Sequence, residues 1–285
     1  VAPSAVTSCY GAAQTLTASG GSIAQSATFG TGILVNVASS TTSTAYPAPF
    51  GNYYQGARHQ FLFTAAELAA AGLTAGNLTS LAFDVLTPNA TALSNFTVSV
   101  GTTSLTALTS TLSGGLTTVY SAASYTPSAT GGYANNTITF ATPFAWNGTS
   151  NIIVETCFNN NSYATNAVFN QTATAFVSSA VYRADATTVC SGTTATYTYS
   201  QRPNMRFTSN VTNVWSWSPN TASTAAVSVS PVATTTYTAT STINGCSASG
   251  TATITVNPEL TLTNSSTNVS CNAGTNGTAD VVAAG

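Results

Sequence analysis

Any catalysis by this chain has to be assembled from very few groups. Its 285 residues hold one histidine, His59, and six carboxylates: Glu67, Asp84, Glu155, Asp185, Glu259 and Asp280. Arg58, Arg183, Arg202 and Arg206 are the whole basic complement, because lysine is absent. A Ser-His-Asp or Cys-His arrangement could be built only around His59, and its neighbours Arg58 and Gln60 read as polar strand residues rather than catalytic partners. A glycosidase pair would need two of the acids at a fixed separation. Glu67 is used by a helix cap, Glu259 and Asp280 lie outside the main module, and Asp84 with Glu155 or Asp185 is the pair that remains. Ion pairing with Arg58, Arg183, Arg202 or Arg206 inside a sandwich accounts for these acids more simply, since buried charges need partners. With no Asp-x-Asp calcium loop and no CxxC zinc pair, neither metal nor cofactor is expected. No catalytic residue is assigned, and the chain is expected not to be an enzyme.

The composition points the same way. Charged residues make up 4% of the chain, against roughly 25% in an ordinary domain. Net charge is -2 and hydrophobic content 43%, whereas disorder couples low hydrophobicity to high net charge; the chain is therefore expected to fold, with a neutral surface rich in hydroxyls and amides. So few cations exclude nucleic acid as a partner, and no apolar run reaches the length of about 18 residues needed to span a membrane as a helix. Residues 1–7 lack the basic and apolar regions of a signal peptide, which suggests a mature start with the export signal already removed. Cys9, Cys157, Cys190, Cys246 and Cys271 are widely spaced, which favours disulfides and an extracellular, oxidising location.

Tyr53, Tyr54, Tyr133 and Trp146 stand beside Gly or Asn, as sugar-stacking rings do, and are the candidate glycan contacts, Trp146 being the most testable. The same rings also suit a sandwich core. Trp215 and Trp217 alternate on one strand, so one faces a core and the other the opposite side.

Short alternating strands that would support these residues recur at 81–85, 96–100, 137–140, 152–154, 235–240 and 251–256, separated by Gly, Asn, Ser and Pro, the pattern of β-sandwiches. One helix interrupts them at 64–72, where Thr64 and Glu67 form a capping box and Gly72 a stop.

The run Tyr46-Pro47-Ala48-Pro49-Phe50-Gly51-Asn52-Tyr53-Tyr54 through Arg58-His59-Gln60-Phe61, with Ala145-Trp146-Asn147-Gly148, Tyr182-Arg183-Ala184-Asp185 and Arg202-Pro203-Asn204-Met205-Arg206-Phe207, resembles a jelly-roll-like module of large surface proteins in gliding, type IX-secreting bacteria. A second resemblance, to an immunoglobulin-like bacterial repeat, is carried by Trp215-Ser216-Trp217-Ser218-Pro219, Thr236-Tyr237-Thr238-Ala239-Thr240 and Asn244-Gly245-Cys246. The usual opening of that repeat stands at the far N-terminus, as Cys9-Tyr10-Gly11 and Thr15-Leu16-Thr17-Ala18-Ser19-Gly20-Gly21. These resemblances imply a discontinuous immunoglobulin-like domain, 1–21 plus 208–257, with a β-sandwich module at 22–207 inserted in it. Residues 258–285, with Asn268-Val269-Ser270-Cys271-Asn272, are similar to the opening of a gliding-motility adhesin repeat, an incomplete third module. On this organisation Cys9 pairs with Cys246, Cys157 pairs with Cys190, and Cys271 takes a partner beyond residue 285. The function implied is that of a modular adhesin or filament segment at the bacterial cell surface, whose partners are neighbouring β modules, copies of itself or surface glycans. A carbohydrate-binding accessory region of a larger secreted enzyme is the alternative. All four arginines fall between 58 and 206, so a binding site in the inserted module would draw its polar framework from them and their carboxylate partners.

Overall fold

Thr-, Val- and Phe-rich segments become strands along the whole chain, and the turns fall at Gly, Asn and Pro. The protein is all-β, with one short α-helix among the described residues; the computed structural model describes residues 1–186, 188–211, 213–243 and 246–285. Two compact units divide the chain, Ile23–Thr212 in one and Val1–Ser22 with Asn213–Gly285 in the other.

In the unit of Ile23–Thr212, six strands form one sheet in the order Tyr197–Tyr199, Ser179–Ala184, Gly56–Phe63, Asn151–Asn159, Leu93–Thr103 and Thr117–Tyr125. A second sheet runs Thr137–Trp146, Gly76–Phe83, Met205–Val211, Ile23–Phe29. Strand Gly56–Phe63 shows how the pleat sorts side chains. Ala57, His59, Phe61 and Phe63 point into the core with Phe29, Phe83, Phe96, Phe158 and Phe207, while Leu62 joins Leu108, Leu112, Ile153 and Ala180 on the opposite face. Both faces of this strand and of Asn151–Asn159 are thus covered, which is why they read as continuous rather than alternating apolar runs. The strand expected at 81–85 is broken at Asp84, whose N–H donates to the Asn204 carbonyl and whose carboxylate accepts from the Asn170 and Asn204 amides.

The helix spans Ala65–Ala70, within the expected 64–72. Thr64 Oγ1 accepts from the Glu67 N–H, Glu67 Oε2 accepts from the Thr64 N–H, and Gly72 takes φ +90°, a conformation open to glycine at little cost.

In the other unit the strand Ala5–Cys9 runs parallel to Cys246–Asn257, which continues through Thr235–Ile243 to Val214–Ser218; Gln14–Thr17 pairs separately with Ala226–Val229. Leu16, Trp217, Val227, Tyr237 and Ile254 fill the core, and Trp215 packs half-buried against it. The solvent faces carry hydroxyl pairs in place of ion pairs: Thr236 with Thr253 at 2.9 Å and Thr242 with Ser247 at 2.9 Å. Cross-strand hydroxyl pairs of this kind supply polar satisfaction without charge.

The expected pairing of Cys9 with Cys246 is overturned by this topology. Cys9 lies opposite Asn257 at one end of the long strand, and Cys246 opens the same strand at the other end, about 35 Å away at the ordinary strand rise. A parallel first strand puts Cys9 and Cys246 at opposite ends of the long strand. Cys9, Cys246 and Cys271 are free and exposed. Asn244 and Gly245 of the immunoglobulin-like signature lie outside the described residues. Cys157 and Cys190 do form a disulfide, with Cα atoms 5.7 Å apart. Within 258–285, Thr261–Thr267 and Thr278–Ala284 make a two-stranded hairpin exposed along its whole length.

Candidate functional site

Each ionisable side chain that could have carried chemistry in the unit of Ile23–Thr212 is engaged in the fold. His59 is fully buried between Tyr46 and Phe61, with ring centroids 5.7 and 5.9 Å away. Its Nε2 accepts from the Ala48 N–H at 3.1 Å, which leaves the proton on Nδ1, and Nδ1 meets no partner. Burial pulls its pKa down from 6.5 to about 3, so the ring is a neutral core group. Among the described residues neither a carboxylate nor a nucleophile is hydrogen-bonded to it.

The acids expected to pair with arginines do so selectively. Glu155 meets Arg58 at 2.8 Å and also accepts from Gln60 Nε2 at 2.6 Å. Arg58 and Gln60 in turn donate to the Gly192 and Ser113 carbonyls, so this network fastens two loops to the outer face of the six-stranded sheet, beside the disulfide. Asp84 and Asp185 take neutral partners, the Asn amides already named for Asp84 and the Gln55 N–H for Asp185. Arg183 is caged, its guanidinium carbon 4.3 to 5.0 Å from the ring centroids of Tyr54, Tyr46 and Tyr197 while it donates to the Ser40 and Thr41 carbonyls. Among the described residues no group of three or more His, Cys, Asp or Glu could hold a metal ion.

The candidate glycan rings are not brought together. Trp146 is buried in the core, its Nε1–H donating to the Ser150 carbonyl at 2.8 Å across the Asn147 turn, so the ring offers no face to a sugar. This corrects the expectation that made it the leading contact: a Trp beside Asn-Gly here packs inward where the chain turns from one sheet to the other. Tyr54 stacks under Arg183, and Tyr133 lies under Arg206 at 5.0 Å. Burial and, secondarily, the Asp84 charge push the Tyr133 phenol up to about 12. Tyr133 precedes strand Thr137–Trp146 and Trp146 ends it, and the ladder of that strand against Gly76–Ala82 is about 20 Å long. Tyr53 is half-exposed, edge-on to Tyr54.

A different set of residues encloses space. A cavity of about 310 Å³ is lined by Gly30, Glu67, Thr172, Ala173, Thr174, Ala175, Phe176 and Arg202. Arg202 Nη2 meets Glu67 Oε1 at 2.6 Å, and the guanidinium lies 4.0 Å from the Phe63 ring centroid. Arg202 also donates to the Leu62 carbonyl. Burial raises the Glu67 pKa, but hydrogen bonds from Arg202 and Thr64 outweigh it and hold the carboxyl below its ordinary value. The capping box was legible in the sequence. The pairing of Glu67 with a residue 135 positions away was not, because it depends on which strands the topology brings beside the helix.

No family model, no curated protein and no solved structure matches this chain. No helix among the described residues is long and apolar enough to cross a membrane.

Proposed function

We propose that this chain is a secreted structural and adhesive protein of the cell surface, a modular adhesin or filament segment that works by contact and does not catalyse. The observation that carries this reading is the use of the ionisable groups: His59, Arg58, Glu155, Arg183, Arg202 and Glu67 are spent on core packing, ion pairs and caging. The exterior is left to hydroxyls, amides and scattered apolar residues. The Cys157–Cys190 bridge agrees with an oxidising, extracellular setting, and the resemblances to surface modules of gliding bacteria support the same location.

Neighbouring β modules or further copies of the chain are the natural partners. Along the hairpin of Thr261–Thr267 and Thr278–Ala284, Leu262 and Val281 share one face and are 70% and 67% exposed. A lone two-stranded hairpin is marginal in water, and strand addition by a neighbour would cover its edges. Deleting the gene is expected to reduce surface attachment or appendage formation; unchanged attachment and appendages in the deletion strain would overturn the adhesive reading. Size-exclusion chromatography of the intact chain tests self-assembly, which monomers alone would contradict. The alternative, a carbohydrate-binding accessory region of a larger secreted enzyme, is favoured by the cavity around Glu67 and Arg202.

A further inference from the structure

We infer that the cavity beside the Glu67–Arg202 ion pair is a binding site for one unit of a neutral sugar. This rests on the glycan-contact part of the proposed function and relocates it away from Trp146 and the tyrosines.

Three features of the cavity select that ligand class. The first is a buried guanidinium at its wall. The Arg202 side chain is 6% exposed and the Glu67 side chain 30% exposed, and both line the cavity. Glu67 Oε2 already accepts from Thr64 and Arg202, whereas Oε1 accepts from Arg202 Nη2, which leaves Oε1 able to accept again. Each carboxylate oxygen has two acceptor sites, and each guanidinium Nη carries two N–H donors. A sugar hydroxyl both donates and accepts, and an adjacent carboxylate and guanidinium answer both demands at once.

The second feature is the charge. The pair cancels itself, and the remaining lining residues, Gly30, Thr172, Ala173, Thr174, Ala175 and Phe176, are neutral. An ionic ligand would lose its hydration without gaining an unpaired countercharge, so a neutral polyol fits better than a phosphate, a uronate or an amine. Phe176 supplies the apolar wall against which the C–H face of a pyranose can pack.

The third is preorganisation. Glu67 is held by the capping box and Arg202 by Phe63, the Leu62 carbonyl and Glu67 itself. The Thr172 hydroxyl donates to Asn204 Oδ1 at 2.6 Å, and that of Thr174 is bonded to the Phe176 carbonyl and Ser178 Oγ. Little ordering remains to be done when a ligand enters. A volume of about 310 Å³ is at the small end of ligand pockets, which suits a single ring and a dissociation constant in the millimolar range.

The test is saturation-transfer difference NMR on the intact, disulfide-bonded chain with D-glucose, D-galactose, D-mannose and N-acetyl-D-glucosamine in turn, and with D-galacturonate as the charged counterpart. At least one neutral sugar is expected to show transfer. Ala175→Trp, a substitution at an exposed position on the cavity rim, should weaken that binding by about tenfold or more with thermal stability kept, and Phe176→Ala should weaken it less. Tyr53→Ala should leave it unchanged. No transfer to any neutral sugar, transfer equal in Ala175→Trp and wild type, or tighter binding of galacturonate than of galactose would each overturn the assignment. The attachment phenotype of the deletion strain is read separately, so failure of the cavity and failure of the adhesive reading are distinguishable.

Discussion

The two units solve the same problem, a β core with a polar exterior, by different means. The unit of Ile23–Thr212 holds His59, all four arginines and four of the carboxylates, together with the disulfide and the helix. The strands of the other unit that surround Trp217 and Ile254 carry no Asp, Glu, Lys, Arg or His, and their exposed faces are laddered with Thr and Ser. Charge in this protein is therefore a fastener used where long loops must be pinned to a large sheet, and hydroxyl pairs suffice where strands alone make the surface.

This contrast is open to direct attack. The largest effect is expected from Arg58→Met, which leaves Glu155 buried without its cation; removing one partner of such a pair costs about 3–5 kcal/mol. Chemical denaturation should show the loss in the arginine-bearing unit, and a change under about 1 kcal/mol would mean the pair is dispensable. Trp217→Ala should cost the other unit a comparable 3–5 kcal/mol or so by opening its core, with protection of Gly56–Phe63 unaffected. Replacing Cys157 and Cys190 together by Ser should destabilise by about 3–4 kcal/mol from the entropy of the loop they close; calorimetry with and without reductant checks it. Thr253→Val, which breaks one exposed hydroxyl pair, should stay within about 0.5 kcal/mol.

Much of the architecture was legible because it is local. Thr alternating with Tyr and Ala at 235–240, and with Ala, Ile and Val at 251–256, marked those strands, and Thr64, Glu67 and Gly72 marked the helix with its cap. What the sequence did not disclose depends on contacts between distant segments. Cys9 and Cys246 looked like a staple, but strand direction sets them at opposite poles. Trp146 looked like a sugar platform, but the Asn147 turn folds it inward. Phe176 and Thr172 carried no local signal, and they line a cavity only because the strand Val168–Ala173 pairs with Gln201–Pro203 and so runs beside Arg202.

The central claim is that the buried ionisable groups of the unit of Ile23–Thr212 hold its fold together, and acidification tests it most directly. His59 is neutral in the fold, with its pKa depressed to about 3, and titrates near 6.5 when unfolded. Its contribution is intact above 6.5; as pH falls below that value the unfolded state takes up a proton the folded state refuses, at about 1.4 kcal/mol per pH unit until roughly pH 3. Loss of the Glu67 charge adds to this at the acid end, since its folded pKa is also depressed. Peptide-resolved hydrogen exchange on the intact chain at pH 7 and pH 4.5 should show protection factors falling in Gly56–Phe63 and Asn151–Asn159 while those of Thr235–Ile243 hold, and His59→Gln should flatten the fall. Equal losses in both units, or a loss that His59→Gln leaves unchanged, would contradict it.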